Sequence, residues 1–62
     1  MNELYLAIWI HNEYEKLSKE HNWKTQKKCR VKFEDLPLEN RNVMISLASR
    51  LLNKFDIKER EG

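Results

Sequence analysis

At 62 residues and 7.6 kDa the chain lies near the lower size limit for a domain that folds alone, with room for one core and no separate catalytic and cofactor lobes. A composition of 40% hydrophobic and 35% charged residues is too apolar for a disordered chain and too charged for a membrane protein. The net charge of +2 is unevenly spread: residues 1–22 sum to −2, residues 23–33 to +5 and residues 34–62 to −1, so the central segment is a candidate anion-binding surface.

One cysteine, Cys29, cannot close an intramolecular disulfide, and the longest apolar run, Leu4 to Ile10, lacks the flanks of a signal peptide or the length of a membrane span. The expectation is a reducing, cytoplasmic compartment with no membrane contact. Lacking disulfides and a metal site, so small a core is expected to gain buried area by homo-oligomerisation.

From about Asn2 to Glu20 the pattern is helical, with Ala7, Ile10, Tyr14 and Leu17 at three- and four-residue steps and Leu6 and His11 beside them. Asn2 is placed as the N-terminal cap and Asn22 as a left-handed stop. Trp9 is placed across the helix from Leu6 and Tyr14. Residues 23–35 lose the helical period. Their five bases and the alternating Cys29, Val31 and Phe33 suggest an ordered loop with a short extended stretch, because a lone strand would have no partner.

Asp35-Leu36-Pro37-Leu38-Glu39 reads as a helix entry, with Pro37 in the first turn and acids at the positive end of the dipole. The second helix is expected over about Pro37 to Lys54. Its apolar positions (Leu38, Met44, Ile45, Leu47, Ala48, Leu51, Leu52 and Phe55) cover a wider arc than one partner helix needs. Either the connector or another subunit would cover the excess. Residues 56–62 read as a charged, frayed tail. The fold expected is all-α: one domain over residues 1–55, with two antiparallel helices joined by a long ordered basic loop and completed by oligomerisation.

Ile10-His11-Asn12-Glu13-Tyr14 in the first helix, Asn22-Trp23 after it, and Val31-Lys32-Phe33-Glu34-Asp35-Leu36-Pro37 before the second resemble the RyR domain, the repeat named after ryanodine receptors and also found in bacterial and phage proteins. The match spans roughly residues 5–52. It departs from the family pattern at Tyr14, where Trp is preferred, at Asn22 for Gly, at Lys32 for Pro, and in a shorter segment between Trp23 and Val31. The resemblance implies a small all-α binding module without catalytic activity, whose prokaryotic members recognise nucleotide-like ligands.

The candidate ligand site comprises His11, Tyr14, Trp23, Lys24, Lys27, Lys28, Arg30 and Lys32. Cations flanked by aromatic rings suit a nucleotide, because phosphate takes charge-assisted bonds and the base can stack. A solvated loop anchored by its aromatics is the plainer reading of the same residues. Nucleic acid is a minor alternative, since five bases give only modest, salt-sensitive affinity. A small adaptor or inhibitor docking on a host protein through Trp9 and Phe55 is the alternative from another class.

Metal and cofactor sites are not expected. His11, His21 and Cys29 offer three ligands at irregular spacing, and Gly62 as the only glycine excludes a phosphate-cradling loop. Cys29 among Lys27, Lys28 and Arg30 is either a thiol of lowered pKa or an ordinary one. Glu13 and Glu15 point apart on one helical turn, so no carboxylate pair supports catalysis.

Overall fold

The computed structural model describes residues 1–22 and 30–60. Within them the chain forms α1 (Glu3–Glu20), a single 3-10 turn (Phe33–Asp35) and α2 (Leu38–Lys54), an all-α, two-helix fold. The start of α1 lies by the segment after α2, where the Tyr5 hydroxyl donates to Glu59 Oε1 at 2.8 Å. The middle of α1 (Ile10, His11, Tyr14) shares a cleft with the start of α2 (Glu39, Val43). The helices therefore run antiparallel.

Local chemistry sets the helix ends. Asn2 Oδ1 accepts from the Tyr5 backbone N–H at 2.7 Å, filling one of the donors that the first turn leaves open. At the other end His21 closes α1, and Asn22 takes φ 54°, a left-handed conformation that asparagine tolerates and most residues do not. Leu36 is extended (φ −64°, ψ 149°), as the residue before a proline must be, and this ends the 3-10 turn. Pro37 sits one position earlier than expected, as the cap of α2 rather than within its first turn; its carbonyl accepts from the Arg41 N–H at 3.1 Å.

The core is a cluster of Leu6, Ala7, Phe33, Leu36 and Ala48, ringed by half-buried Ile8, Ile10, Met44, Ile45, Leu51, Leu52 and Ile57. The connector thus supplies two of five core residues. It packs on the arc that the helix pair alone leaves open. In α1 the buried line is Leu6, Ala7, His11 and Ser18, rotated from the expected Ala7–Ile10–Tyr14–Leu17 stripe; Tyr14 and Leu17 are exposed. Ser18 tolerates burial because its hydroxyl donates to the Tyr14 carbonyl one turn back at 2.8 Å. Instead of the extended stretch expected near Phe33, the chain makes a 3-10 turn, with Asp35 N–H to Lys32 O and Leu36 N–H to Phe33 O. Residues 56–60 are non-helical, yet they do not simply trail: Ile57 packs on the core and Glu59 accepts from Tyr5.

Candidate functional site

His11 anchors the connector. It is 7% exposed on α1, and its Nε2 lies 2.7 Å from the Val31 carbonyl oxygen twenty residues on. A carbonyl only accepts, so Nε2 carries the hydrogen. The ring also meets Phe33 edge-on, with centroids 6.2 Å apart at 63°. Together these contacts hold the Val31–Leu36 segment against α1, and they fix the end of the basic segment at a defined place on the helix pair.

Beside this anchor a cleft of about 560 Å³ opens between the helices. Ile10, His11 and Tyr14 form its α1 wall; Val43, Met44 and Leu47 form its α2 wall; Leu36 closes the connector side. Glu39 and Asn40 supply polar groups from the first turns of α2. Tyr14 is 51% exposed, so its ring is open to a ligand. The volume falls in the range of small-molecule sites, which are mostly apolar with a few polar groups.

Of the sequence-derived site, the structure brings His11 and Tyr14 to one cleft. Arg30 and Lys32 are exposed on either side of Val31, the residue tied to His11. Trp23, Lys24, Lys27 and Lys28, and also Cys29, lie outside the described residues. His11 is a buried histidine bonded to the connector backbone, whereas Tyr14 is exposed and does not share that environment.

The α2 wall was not legible as part of a site. Val43 and Leu47, 66% and 45% exposed, stand one turn apart and face the cleft. Their four-residue spacing is the available signal, but it reads equally as core. A second groove of about 370 Å³ is lined by Met1, Tyr5, Leu6, Trp9 and residues 57–60. It corrects the placement of Trp9, which shares a groove with Leu6 because three residues along a helix turn back to within about 60°. Among the described residues no group of three His, Cys, Asp or Glu side chains could hold a metal ion, and no helix is long and apolar enough to cross a membrane. Compared with protein-family models, curated proteins and solved structures, the chain finds no match.

Proposed function

We propose that the chain is a non-enzymatic binding module that holds a small anionic, aromatic ligand of nucleotide type, working as a homo-oligomer in a reducing, cytoplasmic setting. The observation that carries this reading is the anchor at His11, whose ring binds the Val31 carbonyl between the cationic Arg30 and Lys32 and also lines an apolar cleft with an open tyrosine ring. A base stacks on Tyr14 between Ile10 and Met44, and the phosphate turns toward Lys32 and away from the Glu39 carboxylate. The resemblance to the RyR domain supports the same reading.

Calorimetric titration with adenosine, AMP and ADP tests it. The phosphorylated compounds should bind and adenosine should bind more weakly. Tyr14→Ala and Lys32→Ala should each weaken AMP binding about tenfold, the loss expected for one stacking or one charge-assisted contact, with helical content unchanged. No measurable binding of either nucleotide overturns the reading. Docking on a host protein has its own support in Trp9, 54% exposed in the second groove; under that reading Trp9→Ala removes function while Tyr14→Ala and Lys32→Ala leave it intact.

A further inference from the structure

One exposed face of α2 has the pattern that an interface between two copies of the chain requires. Glu39, Val43, Leu47 and Arg50 follow one another at steps of four, four and three residues, so they form one stripe along the helix. An acid opens the stripe, two exposed apolar residues occupy its middle, and a base closes it.

We propose that a second copy of this chain docks on this stripe, α2 against α2, antiparallel about a two-fold axis. The inference rests on the self-association within the reading above, and the stripe borders the ligand cleft at Glu39, Val43 and Leu47. A two-fold interface brings one patch against itself, so the patch must be self-complementary. This stripe is. Pairing Val43 with the partner's Leu47 in the antiparallel sense sets Glu39 one residue from alignment with the partner's Arg50, an offset of about 1.5 Å along the axis. The reciprocal pair forms at the other end. A parallel pairing would instead oppose Glu39 to Glu39 and Arg50 to Arg50. Neither Glu39 nor Arg50 takes part in the ion pairs formed within the chain at Glu13–Lys16 and Asp56–Lys58.

Sedimentation over a wide concentration range tests the stripe and its register, with circular dichroism confirming that each variant keeps its helices. Wild type should dimerise, and its melting temperature should rise with protein concentration. Val43→Gln with Leu47→Gln should weaken the dimer at least about a hundredfold, since four apolar side chains lose their cover. Glu39→Arg and Arg50→Glu alone should each weaken it about tenfold through like-charge contacts, and an equimolar mixture of the two should recover wild-type affinity as a heterodimer. A monomeric wild type overturns the proposal and the self-association with it. A dimer indifferent to the Val43/Leu47 change overturns the stripe, and a mixture no tighter than its components overturns the antiparallel register. Glu39, Val43 and Leu47 also line the ligand cleft, so the nucleotide reading is judged on the wild-type titration and on Tyr14→Ala and Lys32→Ala, not on these variants.

Discussion

His11 carries two tasks on one ring: its Nε2–H binds the Val31 carbonyl across twenty residues, and its edge packs on Phe33. Replacing it with alanine removes the bond and opens space beside Phe33, so His11→Ala should cost about 2 kcal/mol. The expected observation is a lower urea midpoint, with faster amide exchange over residues 30–36 than over either helix. A midpoint equal to wild type would show that Phe33 and Leu36 hold the connector by apolar burial alone. The place of His11 beside the apolar stripe of α1 was legible in the sequence. Its partner was not, because a backbone carbonyl leaves no mark on residue identity.

At the scale of the elements, the helix ends were readable because capping chemistry is local. Asn2 and Asn22 each act within a few residues of themselves, as Asn2 Oδ1 on Tyr5 N–H and the positive φ of Asn22 show. The buried face was less readable. Apolar periodicity selects Tyr14 and Leu17, but the connector packs from the side of His11 and turns the buried line toward Ser18. Serine is acceptable there only because the helix carbonyl behind it takes its hydroxyl, a bond that hydrophobic pattern does not register. The stop at Asn22 offers a direct test. A β-branched residue is strained at φ 54°, so Asn22→Val should lower stability by about 1–2 kcal/mol, whereas Asn22→Gly should match wild type or slightly exceed it. Thermal melts of the two variants decide it, and equal melting temperatures would mean that α1 ends without needing the left-handed residue.

Over the whole molecule, two helices and a connector make a core in which no large side chain among the described residues is fully buried; those at zero exposure are Ala7 and Ala48. Such a core gains from every additional contact, and the segment after α2 provides one. Ile57 covers the core edge, and Glu59 accepts the Tyr5 hydroxyl, joining positions 54 residues apart. This pairing was not legible beforehand, since one tyrosine and one glutamate among many polar residues do not identify each other. Its signature lies in pH. The hydrogen bond to Glu59, and secondarily its negative charge, raise the Tyr5 pKa above the ordinary 10.0. In the unfolded chain that carboxylate is distant, so above pH 10 the folded state holds the Tyr5 proton more tightly than the unfolded state does. The stabilisation is therefore complete below pH 10 and is lost as pH rises through the raised folded value. Glu59→Gln should shift the alkaline tyrosinate absorbance titration toward lower pH, and Tyr5→Phe should remove that component from the curve. A titration unchanged by Glu59→Gln would show that the tail does not hold Tyr5 in solution, and that Ile57 alone keeps residues 56–60 against the helices.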